Sequence, residues 1–152
     1  MSKLKENAII LVANRLADMG HEIIVKAFEE SDYMHNKTQN LHDSYGCCCY
    51  YKGKILDGTM RFLTGRATHG VFNYDSQEIE YGRNEIIDYF NNYKPDYSGL
   101  VLVIAVAMFY GGILESGGGR LKGKYKVISF MSNDVKDLAK KFKGRDKFIG
   151  KR

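Results

Sequence analysis

The chain holds a single proline in 152 residues, beside 16 glycines. That balance argues against a proline-rich linker and against disorder. Cysteine is scarce and oddly placed: three residues, all adjacent, at 47, 48 and 49. Neighbouring cysteines do not staple a fold by pairing with one another, and an odd total does not suit a disulfide framework. No hydrophobic run reaches the ~20 residues that span a bilayer. The longest, "GLVLVIAVAMFYGGIL" at 99–114, has 16 and is rich in Val and Ile, which suits a buried strand followed by a tight turn. The opening "MSKLKENAIILVANRLADMG" is interrupted by charge and shows no cleavage pattern, so no signal peptide is expected. The expected setting is cytoplasmic, with no membrane contact.

What is present fits one globular domain. Apolar residues make up 44% and charged residues 27%, and the length suffices to bury a core without staples. The charge is uneven. Residues 136–152 carry eight Lys or Arg against Asp137 and Asp146, a net of +6, whereas the first 135 residues are close to neutral at −1. A basic end of this kind suits phosphate or an acidic partner surface, and also the C-terminal end of a helix dipole. The division expected is a single domain over 1–143 and a basic tail over 144–152.

The stretch "TQNLHDSYGCCCYYKGK", 38–54, gathers Cys47, Cys48, Cys49, His42 and Asp43. Zinc sites space their ligands so that four can converge, as in C-x2-C or H-x3-H pairs, and this set lacks such spacing. On a strand, Cys47 and Cys49 face one side and Cys48 the other. Free cysteine is a small buried hydrophobe. The run therefore reads as a core strand entering a hairpin turn at Gly53.

Leu4, Ala8, Val12, Leu16, Met19, Ile23 and Ala27 recur at three- and four-residue steps, which predicts a long amphipathic helix over about 3–30. Such a helix is about 40 Å long, more than a small domain needs to cover its core. Gly20 lies inside it. Thr38 is a candidate cap for a short helical turn through Ser44, closed by Gly46. Strands are expected at about 47–52 and 54–63, with a long loop from 64 to 82. Asn84 caps a helix over 85–94 with Ile86, Ile87, Phe90 and Tyr93 inward, ending before Pro95. "LVLVIAVAM", 100–108, reads as the central strand, buried on both faces. Residues 109–115 form a helical turn, and Val127, Met131, Val135, Leu138, Ala139 and Phe142 mark a last helix over about 127–143. The fold class expected is α+β: a small, mainly antiparallel sheet with a long N-terminal and a C-terminal helix packed on it.

Chemistry is sparse. "GGRLKGKY", 118–125, satisfies G-x-x-x-x-G-K, but Tyr125 stands where a phosphate-binding loop needs Ser or Thr for magnesium. The strand before it also ends too early to feed that loop. His21, His35, His42 and His69 form no i, i+4 pair. No catalytic residue, metal site or cofactor is expected, and the 11 tyrosines read as core and interface packing.

The order of features is informative. A long first helix is followed by "YMHNKTQNLHDSYG", "YYKGK", "YGRNEIIDYFNNYKPDYSGLVLVIAVAMFYGGILES" and "KYKVIS" entering the last helix. This order resembles the tail-completion, or neck, proteins of tailed bacteriophages, a family of head–tail connector components. The family's Thr-Gly-Asn-Leu-x-x-Ser segment corresponds to Thr38, Gln39, Asn40, Leu41 and Ser44, with Gln39 in place of Gly. Its apolar strand, Tyr-Ala pair and following Glu correspond to residues 100–108, Tyr110-Gly111 and Glu115.

The resemblance spans roughly residues 10–142. It implies a structural virion protein without catalysis. Copies would form a six- or twelve-fold ring joining the portal-bearing head to the tail and sealing the DNA channel. The implied partners are portal or adaptor ring proteins, tail proteins and non-specific DNA in the channel, with assembly in the bacterial host cytoplasm. On this reading Thr38, Asn40, Leu41 and Ser44 form a turn at the base of the first helix, and Tyr110 and Glu115 mark the strand-to-helix corner. Lys140, Lys141, Lys143, Arg145, Lys147, Lys151 and Arg152 meet a partner or DNA. The alternative is a small nucleic-acid-binding module that uses the basic tail.

Overall fold

A computed structural model of the chain describes residues 2–30, 44–63, 83–107 and 131–147. Among these, the elements are α1 (Lys3–Glu30), β1 (Tyr45–Tyr51), β2 (Lys54–Ile55), β3 (Arg61–Phe62), α2 (Arg83–Asn92), β4 (Val101–Val106) and α3 (Ser132–Lys141). The fold is α+β with a small antiparallel sheet, as the patterning predicts.

β1 is the middle of that sheet. It pairs antiparallel with β4 along its length, from Tyr45 opposite Val106 to Tyr50 opposite Val101. On its other edge β3 pairs at the start, with Gly46 opposite Phe62, and β2 at the end, with Tyr51 opposite Lys54. The apolar run of 100–108, expected at the centre, pairs only with β1 among the described residues. Its residues are half-buried apart from Ala105. Hydropathy reports how much burial a strand needs, not where in the sheet it sits.

The β1–β2 hairpin turns at Lys52-Gly53, both at positive φ (52° and 75°), the two-residue geometry that matches strand twist. The strand expected over 54–63 is broken in two by a turn at Leu56–Thr59, where Thr59 N–H donates to Leu56 C=O at 3.3 Å. Asp57-Gly58 is a turn pair, with Gly58 at φ 78°. The gap is sealed by Thr59, whose buried hydroxyl accepts from Cys49 N–H at 3.2 Å and donates to Leu56 C=O at 2.6 Å. Leu56 N–H in turn donates to Cys49 C=O at 3.0 Å. No ladder group of Cys49 is left bare.

Helices cover both faces. Tyr45, Cys47, Ile24, Ala27, Leu63 and Met131 form one buried cluster, continued by Ala13, Ala17 and Cys49; this is the face under α1 and α3. Cys48, Tyr50, Ala105, Ile86 and Phe90 form the cluster under α2, where the Tyr50 hydroxyl donates to Phe90 C=O at 2.7 Å.

The inward face of α1 follows the expected stripe in its second half, where Ala27 is buried and Leu16 and Ile23 pack half-buried on the core, and departs from it in the first. Ala13, Ala17, Gly20, Ile24 and Ala27 are the buried positions, whereas Leu4, Ala8 and Val12 are exposed. The helix sits close to the sheet, and only small residues permit that. A Cβ at Gly20 would lie 3.0 Å from Leu102 Cδ2 and 3.2 Å from Cys47 Sγ.

α2 begins at Arg83, so Asn84 lies inside its first turn rather than capping it, and it ends at Asn92 before Pro95. α3 closes with Gly144 N–H on Ala139 C=O at 2.7 Å and Lys143 N–H on Lys140 C=O at 3.1 Å. Gly46, expected to close a short helix, is part of β1, where a Cβ would approach Arg61 C=O at 2.9 Å.

Candidate functional site

The cysteine run is a core layer. Cys47, Cys48 and Cys49 are all fully buried and free. Strand alternation sends Cys47 and Cys49 toward α1, where their thiols donate to the carbonyls of Ala17 and Ala13, each at 3.3 Å. Cys48 points to the α2 face, 3.6 Å from Cys49 C=O and 3.9 Å from the Thr59 hydroxyl. Burial pushes all three thiols above their ordinary range, Cys49 to about 12. A nucleophile or metal ligand needs the thiolate, so this environment suits packing. Among the described residues no group of three or more His, Cys, Asp or Glu is placed to hold a metal ion; His42 and Asp43 lie outside them.

Of the residues in the neck-type motifs, Ser44 is described. It is fully buried at the entry to β1, and its carbonyl accepts from Ala107 N–H at 3.2 Å, extending the β1–β4 ladder. Thr38, Asn40, Leu41, Tyr110 and Glu115 lie outside the described residues, as do the glycine-rich stretch at 118–125 and the loop at 64–82.

The basic segment is partly described. Lys140 and Lys141 occupy the last turn of α3, and Lys143, Arg145 and Lys147 follow it, all five exposed. Lys151 and Arg152 lie outside the described residues. Lys147 Nζ donates to Asp96 Oδ2 at 3.1 Å, so the segment runs back to the α2–β4 connection. That hydrogen bond, and then the ammonium charge, hold the Asp96 carboxyl below its ordinary range. Both side chains are largely solvated, at 67% and 81% exposure, so the pair positions the segment more than it stabilises the fold.

The first ten residues of α1 are exposed, apart from the half-buried Ile9. Leu4 is 83% exposed and Leu11 72%, with Ile10 and Val12 above 40%. Leu4 and Leu11 are seven residues apart and share one face. Further along, a shallow groove of about 290 Å³ separates α1 from α3. Glu22, Asp134 and Asp137 alternate there with Lys26 and Lys141, so it carries no dominant sign.

Sequence reasoning gave no role to Arg61. Its Nε donates to Asp18 at 3.0 Å and its Nη2 to Asn14 at 3.2 Å, tying β3 to α1 across more than 40 residues. No local pattern marks such a contact. His21 Nε2 lies 3.1 Å from Phe62 C=O and joins the same two elements.

No helix among the described residues is long and apolar enough to cross a membrane. In comparisons with protein-family models, curated proteins and solved structures, nothing matched the chain.

Proposed function

We propose that this chain is a structural subunit of a phage neck, one of several copies in a ring that joins the portal-bearing head to the tail and seals the DNA channel. Its role is assembly, with no catalytic step. The order of motifs suggests the type of particle, and the free end of α1 is the observation that carries the reading. The first ten residues of this helix, about 15 Å long, present Leu4 and Leu11 to solvent. Burying such side chains is worth about 1.5–3 kcal/mol each. A neighbouring copy in a ring would cover them at every position, because a head-to-tail contact forms a ring when the rotation between copies closes. Portal or adaptor proteins and tail proteins are then the partners above and below, and the virion neck is the location, reached by assembly in the bacterial host cytoplasm.

The test is a cryo-EM reconstruction of the native particle that contains this chain. A closed ring with the first turns of α1 at the subunit boundary is expected. A lone copy, or no association with a particle, overturns the reading. A small nucleic-acid-binding module is the second reading, and the exposure of Lys140, Lys141, Lys143, Arg145 and Lys147 is what favours it.

A further inference from the structure

Three segments meet at one end of the molecule, and each brings lysine to it. The β1–β2 turn carries Lys52 and Lys54, the α2–β4 connection carries Lys94, and the segment after α3 carries Lys143, Arg145 and Lys147. Two contacts join them. Lys52 N–H donates to Ser98 C=O at 2.9 Å, and two residues earlier Asp96 accepts from Lys147. All six basic side chains are exposed, against Asp96 and Asp146 on the same segments.

A flat ring is fixed beside this charge. Tyr97 is 63% exposed, yet its ring lies so close to Gly99 that a Cβ there would clash with Cε1 and come within 2.8 Å of Cζ. The ring is thus braced on one side and open to solvent on the other. A ring with one face open can take a stacking partner.

Two of these lysines sit at turns. Lys52 (φ 52°) is part of the β1–β2 hairpin turn and Lys143 (φ 54°) part of the turn that closes α3. Both turns leave the side chain exposed.

We propose that this end of the molecule binds single-stranded nucleic acid, with the lysine ammonium groups on phosphates and a base stacked on Tyr97. An acidic peptide would use the charge but leave the ring without a partner. A duplex hides its base faces in its own stack. The single strand offers both at once. The proposal deepens the nucleic-acid reading, with which it shares Lys143, Arg145 and Lys147, and is independent of the neck reading, which particle incorporation tests separately.

The test uses the full chain and fluorescein-labelled 20-nucleotide probes: single-stranded DNA, single-stranded RNA and a duplex. Anisotropy is followed across a salt series, and circular dichroism checks the fold of each variant. Both single strands should bind more tightly than the duplex; a preference between DNA and RNA names the source and supports the proposal equally. Tyr97→Ala should weaken binding about 5- to 100-fold, the range expected for one lost base stack, and Tyr97→Phe should retain it. Gly99→Ala alters no charge but displaces the ring, so it should weaken binding like Tyr97→Ala. Lys52→Ala with Lys147→Ala should flatten the salt slope by about 1.4, from ~0.7 per phosphate contact. Absence of binding at low salt, equal binding of duplex and single strands, or a silent Tyr97→Ala would each overturn the proposal.

Discussion

The thiol of Cys47 donates to the backbone carbonyl of Ala17, 3.3 Å away, and Cys49 repeats the contact with Ala13 one turn earlier on α1. A helix and a strand thus touch through groups with almost no side-chain bulk. The contact explains the cysteine run more simply than metal or redox chemistry. Cysteine is small enough for close approach, apolar enough to bury, and still able to offer a weak donor to a helix carbonyl.

Alkaline pH should expose this burial as a stability change. A folded-state pKa raised above the ordinary value means that the folded protein holds its proton more tightly. Stability is then full below the unfolded pKa and is lost as pH rises toward the folded one. For Cys49 that window runs from the ordinary 9.0 to about 12. The unfolding free energy from urea titration should stay flat below pH 9 and fall above it, by up to about 1.4 kcal/mol per pH unit for each buried thiol. Cys49→Ala should make the decline shallower. A midpoint constant to pH 11 would contradict the buried layer, as would rapid labelling of native thiols by iodoacetamide at pH 8.

Gly20 provides the steric counterpart. Alanine there gains about 1 kcal/mol of helix propensity, while its Cβ would press on Leu102 Cδ2 at 3.0 Å and Cys47 Sγ at 3.2 Å. The Leu102 methyl is the end of a flexible, half-buried side chain and can yield. Gly20→Ala should therefore leave the denaturation midpoint nearly unchanged. Gly20→Val adds bulk that the thiol side cannot absorb, and should cost about 1–3 kcal/mol.

Thr59 tests the seam between β2 and β3. Its hydroxyl satisfies Cys49 N–H at 3.2 Å and bonds Leu56 C=O at 2.6 Å. Thr59→Val keeps the shape and removes both contacts, leaving a buried donor bare, for an expected loss of about 1–3 kcal/mol. Thr59→Ser keeps the hydroxyl and should recover most of that stability. Equal midpoints for the valine and serine variants would mean that the bond contributes nothing.

What the sequence made legible, and what it did not, follows from which signals are local. The span of α1, the turn at Gly53 and the alternation of the three cysteines depend on periodicity and turn chemistry within a few residues. The buried face of α1 was legible only in part: Leu16, Ile23 and Ala27 face the core, but hydropathy ranks Leu4 and Val12 above Ala13 and Gly20, whereas close packing on thiols selects the small residues. The split at Asp57-Gly58 was written in the sequence as a turn pair, but the apolar residues around it masked it. The central position of β1, the reach of Arg61 to Asp18 and the return of Lys147 to Asp96 are contacts between distant segments. No period records them. Likewise the basic residues were visible as a run, but not that the fold adds Lys52, Lys54 and Lys94 to them beside Tyr97.

The free end of α1 gives the sharpest separation between a fold requirement and an assembly requirement. Leu11 is 72% exposed and Leu4 83%, so a charge at either site stays largely in water in the single chain. Leu11→Glu should leave the stability within about 0.5 kcal/mol of the parent, as for other surface changes, and so move the thermal midpoint little. Leu4→Glu should behave alike. In the ring the same carboxylate would be desolvated against an apolar neighbour, at a cost of several kcal/mol per contact. Incorporation into particles should therefore fail for Leu11→Glu, while Leu11→Met, which keeps an apolar surface, assembles. Particle incorporation is read by immunoblot of purified virions, and folding by circular dichroism of the isolated chain. Normal incorporation of the glutamate variant would remove α1 from the ring contact; a lowered thermal midpoint would show instead that Leu11 belongs to the chain's own core.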